Sequence, residues 1–146
     1  MNNLSQAIKD ANILIVDDTR MMRSLMSRHL RETGFKNIAE VEDGSQALEH
    51  VAQHPVDFML LDIMMPVMDG YQTLEHLKES GKLSSIAVVM VTAVDEIESV
   101  ARCIELGAAD YMPKLFNPIL LNMRIESNLR SLFMRRRLLE LGEDID

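Results

Sequence analysis

Cysteine is nearly absent. Cys103 stands alone, so no disulfide can form within the chain, which fits a reducing cytosol. No stretch approaches the roughly 20 apolar residues that a membrane helix requires, and the opening MNNLSQAIKDA lacks the apolar core of an export signal. The expectation is a cytoplasmic protein without membrane attachment. Positive charge is also scarce: 15 Lys and Arg against 23 Asp and Glu leave a net charge of -8, which opposes broad attraction to nucleic acid or an anionic membrane. The one basic run, Arg135, Arg136 and Arg137, comes without a recognition motif and reads as a solvated stretch of helix, so no direct nucleic acid binding is expected. What remains is ordinary for a globular protein: 146 residues, 47% hydrophobic and 26% charged, enough for one domain with a real core.

Apolar runs of strand length alternate with segments of helical period. NILIV (12–16) precedes a helix in which Met22, Leu25, Met26 and Leu30 share a face and Gly34 is the stop. NIAEV (37–41) precedes a helix with Ala47, Leu48 and Val51 at helical spacing, ended by Pro55. VDFMLLD, SIAVVMVTA and ADYMPK are the third, fourth and fifth strands. Between them lie GYQTLEHLKESG and DEIESVARCIELGA, the latter with Ile97, Val100, Ala101 and Ile104 inward. A long helix runs from Pro118 to about Leu141. Alternation of this kind implies a doubly wound α/β domain with a five-stranded parallel sheet covered on both faces, where ligands bind outside the carboxyl ends of the strands.

Those ends carry Asp17 and Asp18 after the first strand, Asp62 after the third, Thr92 after the fourth and Lys114 after the fifth. Three carboxylates converging in a partly desolvated place repel one another and call for a cation. All-oxygen donors favour Mg²⁺, and no histidine or cysteine lies at a strand end to suggest zinc.

The motifs IVDD, LLDIMMPVMDG, VTA and DYMPK, in this order and spacing, resemble the receiver domain of two-component response regulators over residues 11–130. Residues 131–146 would then be a C-terminal helical extension or linker. The resemblance implies a flavodoxin-like strand order 2-1-3-4-5. It implies that Asp62 is the phosphoacceptor, served by a sensor histidine kinase or phosphotransfer protein, and that the result is passed to a downstream output domain or protein. By the same resemblance Asp18 and Asp62 hold Mg²⁺ directly with Asp17 acting largely through water, the backbone carbonyl of Met64 completes the protein ligands, Thr92 and Lys114 contact the phosphoryl group, and Tyr111 is the switch aromatic. The rival reading is a Mg-dependent aspartyl phosphatase or phosphotransferase. It is opposed by the placement of the acidic pair on a different strand from Asp62 and by the lack of an inserted cap segment.

Several residues have plainer readings. Asp17 and Asp18 could cap the helix that follows them. His50 and His54, four apart, fit a polar helix face better than a metal site. Methionines at 22, 26, 59 and 90 read as core, and Cys103 as a small buried apolar group. Apolar Met64 and Val94 beside the acceptor cannot orient water, which implies a long-lived phosphorylated form. Ile125, Leu129, Leu132 and Leu139 could form a heptad seam for a homodimer, broken at Arg136, or could pack on their own sheet. Leu115 stands where the family usually has proline, and the high cost of a cis bond before a non-proline residue predicts a trans Lys114–Leu115 bond.

Overall fold

The computed structural model describes residues 3–92, 97–114 and 117–145. Its elements are α1 (Asn3–Lys9), β1 (Asn12–Val16), α2 (Arg20–Glu32), β2 (Asn37–Val41), α3 (Gly44–Gln53), β3 (Phe58–Asp62), α4 (Gly70–Glu79), a short 3₁₀ turn (Leu83–Ser85), β4 (Ala87–Thr92), α5 (Ile97–Glu105), β5 (Asp110–Pro113) and α6 (Pro118–Ile145). The strands form one parallel sheet in the order β2-β1-β3-β4-β5. The uninterrupted apolar runs of β1, β3 and β4 follow from their central places, since a strand covered on both faces has no solvent side to mark with polar residues. The outer strands β2 and β5 are more exposed and more polar.

Two apolar clusters sandwich the sheet. Met26 and Leu30 of α2 pack with Leu121, Ile125, Leu129 and Leu132 of α6 on one face. Ala47 and Val51 of α3, Leu74 and Leu77 of α4 and Cys103 of α5 cover the other. Asp43 caps α3 by accepting from the Gln46 amide, and Asp69 with Gln72 closes a capping box on α4.

Three expectations are corrected, and one element is added. The N-terminal segment carries a seven-residue helix, α1, with Ile8 buried against α2 and α6. So short a helix is marginal alone and exists through tertiary packing. On α2 the buried stripe is Arg23, Met26, Ser27 and Leu30, which leaves Leu25 exposed. On α5 Cys103 is the fully buried residue, whereas Ala101 and Ile104 are exposed and Val100 is half-buried; the side chain of Ile97 is outside the described residues. On α6 the supposed seam is core: Ile125, Leu129 and Leu132 are at most 1% exposed, and only Leu139 faces out. Turning those three toward a partner would forfeit about 1.5–3 kcal/mol each.

Candidate functional site

The parallel register of β1 on β3 sets Val16 beside Leu61, so Asp17 and Asp62 emerge side by side at the carboxyl edge. Both are buried, whereas Asp18 is exposed. One carboxylate oxygen from each of the three lies within 4.8 Å of the others. Lys114 arrives from the end of β5, its backbone amide held by the Thr92 carbonyl at 2.7 Å. Its Nζ donates to Asp62 Oδ2 at 3.0 Å and lies 3.9 Å from Asp17 Oδ2. Thr92 is buried at the end of β4, next to β3 in the sheet.

Asp17 is tied on three sides. Its amide donates to the Val41 carbonyl at 3.2 Å, its Oδ1 accepts from the Thr19 amide at 2.7 Å, and its carbonyl accepts from Arg23 Nη1 at 2.7 Å. Only Oδ2 is left, buried and without a hydrogen-bond donor. Helix capping alone does not describe this residue, because the N-cap of α2 is Thr19 and Asp17 binds that residue's own amide.

Electrostatics point the same way. Burial pushes the Asp62 carboxyl above its ordinary pKa; the hydrogen bond from Lys114 opposes this, and the charges of Asp17 and Asp18 add to it. For Lys114 burial acts downward, but the Asp62 hydrogen bond and the surrounding carboxylates outweigh it and raise its pKa. The Asp62 shift comes first from burial and then from its acidic neighbours, whereas the Lys114 shift comes from Asp62 and the carboxylates around it. Three oxygen donors, one of them buried and unpartnered, fit a hard divalent cation such as Mg²⁺.

The loop after Asp62 is tightly folded. A Cβ at Gly70 would stand 2.6 Å from the Asp62 carbonyl oxygen, so only glycine lets α4 start against the end of β3. Val67 in this loop has a φ of 67°, and Met64 is 72% exposed on the rim.

Residues 13–126 match the family model of the response regulator receiver domain. This chain belongs to the response regulator receiver family. The receiver is 38% identical over 119 residues to a cyclic di-GMP phosphodiesterase of Thermotoga maritima, covering 82% of this chain and 31% of the relative. It is 36% identical over 121 residues to response regulator GtcR of Aneurinibacillus migulanus, covering 83% and 48%. The solved structure of a probable two-component system response regulator/GGDEF domain protein superposes with a TM-score of 0.80 at 28% identity, covering 87% of this chain and 52% of that one. The receiver spans about half the length, or less, of the curated relatives it matches. The strand order 2-1-3-4-5 expected from the resemblance is the one observed.

The receiver fold thus brings together Asp17, Asp18, Asp62 and Lys114. Tyr111 lies apart on the outer strand β5 and is 38% exposed. Val94 and the Lys114–Leu115 bond lie outside the described residues. The His50 and His54 rings are 4.6 Å apart, and among the described residues no third ligand joins them. Cys103 is fully buried, and burial pushes its thiol up to about 11. Among the described residues no helix is long and apolar enough to cross a membrane. Sequence reasoning missed Arg23, whose position on the buried stripe of α2 was the available signal, and took Arg136 for a solvated residue. Arg136 in fact donates to Asp57 Oδ1 at 3.0 Å and to the Ser85 carbonyl at 2.8 Å.

Proposed function

We propose that this receiver is a phosphorylation-operated switch in which Asp62 takes a phosphoryl group from a phosphohistidine of a sensor histidine kinase or phosphotransfer protein. A P–O bond to the Asp62 carboxylate forms as the donor's P–N bond breaks, and the imidazole leaves with the electron pair and recovers a proton from solvent. The observation that carries the reading is the buried Asp62 carboxylate, 3.0 Å from Lys114 Nζ and grouped with Asp17 and Asp18. Asp17, Asp18, Asp62 and the Met64 carbonyl would hold Mg²⁺. The ion supplies charge neutralisation for the transferring phosphoryl oxygens. Lys114 would add its ammonium, and the Thr92 hydroxyl would donate to a phosphoryl oxygen.

Signal output follows from the charge gained. A phosphoryl group brings about -1.5 to -2 charge and three acceptor oxygens, which draw Thr92 and open space for the exposed Tyr111 ring to turn inward. Two of the similar proteins carry names that include a cyclic di-GMP phosphodiesterase and a GGDEF domain protein. This receiver would likewise govern an output domain or protein. Residues 11–130 would act as the switch, and 131–146 as the helical extension that carries its state. Met134, Leu138 and Leu141, spaced by four and three and all exposed, offer a side of α6 for homodimer pairing. Sedimentation of Leu138→Asp against the native chain tests this, and a monomer in both would sink it.

Acetyl phosphate with Mg²⁺ tests the central reading. One phosphoryl group per chain by intact mass, absent in Asp62→Asn, supports the switch; sustained turnover of varied phosphate esters would instead indicate an enzyme, and no incorporation would overturn the assignment.

A further inference from the structure

Arg23 sits in the first turn of α2, is 8% exposed, and points beneath the loop that carries Asp17 and Asp18. A buried guanidinium has to be matched, and two glutamates of or beside β2 are near: Glu40 at 3.6 Å from Nε and Glu42 at 3.9 Å from Nη2. Neither distance is that of a good charge-assisted hydrogen bond. The closest contact of Arg23 is to the loop itself, Nη1 to the Asp17 carbonyl oxygen at 2.7 Å. Of the three ties on Asp17 it is the one in which the partner is a side chain. The others run to the Val41 carbonyl and from the Thr19 amide, both backbone groups. Together they leave the buried Asp17 Oδ2 as the oxygen facing Lys114.

We infer that Arg23 is a positioning residue of the phosphorylation site: by holding the Asp17 carbonyl it fixes the β1–α2 loop so that Asp17 Oδ2 is presented for a divalent cation. Arg23 acts on the ligand Asp17 as outer partners act on the ligands of metal sites, where their loss typically weakens metal affinity by roughly 10–100-fold, and Glu40 and Glu42 lie one step further back, behind the guanidinium. The inference rests on the phosphoryl-switch reading for the use of the cation, and it adds a residue that neither touches the acceptor nor bears a carboxylate.

Calorimetric titration of the full chain with MgCl₂ tests it, using native protein, Arg23→Met, Arg23→Lys and Glu40→Gln. Arg23→Met should weaken Mg²⁺ binding by roughly 10-fold or more. Arg23→Lys, which keeps a cationic donor, should recover part of that loss, and Glu40→Gln should change it least. With acetyl phosphate, the Mg²⁺ concentration for half-maximal phosphorylation should shift by the same factor while the rate at saturating Mg²⁺ stays near native. A merely structural role would lower the melting temperature and leave the Mg²⁺ dependence in place. The inference is overturned by a folded Arg23→Met chain with native Mg²⁺ affinity, or by Glu40→Gln weakening binding as much as Arg23→Met. If Arg23→Met does not fold, native affinity in Arg23→Lys together with a native phosphorylation profile overturns it, and weakened affinity there supports it. A native chain that binds Mg²⁺ but accepts no phosphoryl group would instead remove the switch reading and leave the Arg23 result standing.

Discussion

Strand β3 has an aspartate at each end, and the two are built in opposite ways. Asp57, just before the strand, is matched: Oδ2 accepts from the Asn12 amide at 2.8 Å, and Oδ1 accepts from Arg136 at 3.0 Å. Its backbone joins in, with the amide donating to the Asn12 carbonyl and the carbonyl accepting from Ala87. Asp62, at the far end, has among the described residues one cationic partner, Lys114, and two acidic neighbours. A matched carboxylate ties strands together. A carboxylate set among like charges resists ionisation and is available to a cation or a new bond, so the chemistry lies where the charges fail to cancel.

The sharpest way to break this contrast is to remove each aspartate in turn. Asp62→Asn should abolish phosphoryl incorporation from acetyl phosphate, read by intact mass, while Asp57→Ala should keep it and lose about 1–3 kcal/mol of stability in urea unfolding, the usual cost of orphaned buried donors. Incorporation lost in both would mean that the two ends are not separable. Mg²⁺ gives the next largest effect. At about 100 times its Kd it should stabilise the native chain by about 2.7 kcal/mol, and Asp57→Ala by the same increment from a lower baseline, with a smaller gain for Asp62→Asn. Equal gains in all three would place the ion elsewhere.

A smaller effect is expected from pH without Mg²⁺. The Asp62 pKa is raised in the folded chain, so its contribution to stability is fully present below the unfolded carboxylate pKa and is lost as pH rises through the folded value. Asparagine does not titrate. The stability advantage of Asp62→Asn over the native chain should therefore widen from acid to neutral pH, and a gap that stays constant would contradict the charge clustering. Cys103 supplies the null case, a buried ionisable group without a ring of charges: with its thiol raised to about 11, it should not react with Ellman's reagent at pH 8 until the chain is unfolded.

The central strands were legible because their function is burial, and the outer ones by their place in the alternation of strand and helix. NILIV and NIAEV have the bounds read from the sequence, and the carboxylates fell at strand ends because parallel strands place their carboxyl ends together. Helical faces were less legible. In α5 two neighbouring stripes are apolar enough, and the one that packs is set by tertiary contacts: Arg102 lies over the Tyr71 ring at 4.0 Å and Ile104 is left outside. On α6 a heptad spacing and a core-facing spacing look alike, since both are 3 and 4 steps, and only the presence of the sheet decides between them. Arg23 showed only in its place on the buried stripe of α2, and Arg136 not at all, because their partners are backbone carbonyls and distant acids.

The contact of Arg136 with Asp57 and Ser85 also acts as a bearing. α6 has 28 residues, a rod of about 42 Å, and the pin sits 18 residues after Pro118, leaving about 14 Å of helix beyond it. A rod held along its length by core packing and again at Arg136 is fixed in azimuth as well as in tilt. Its outward side chains therefore leave the body on a set compass heading. Each residue added or removed after the pin would turn that heading by about 100° and advance it by about 1.5 Å. Whatever is joined to the helix would thus read the receiver in a phase written by the helix length, with Arg136 as the zero mark.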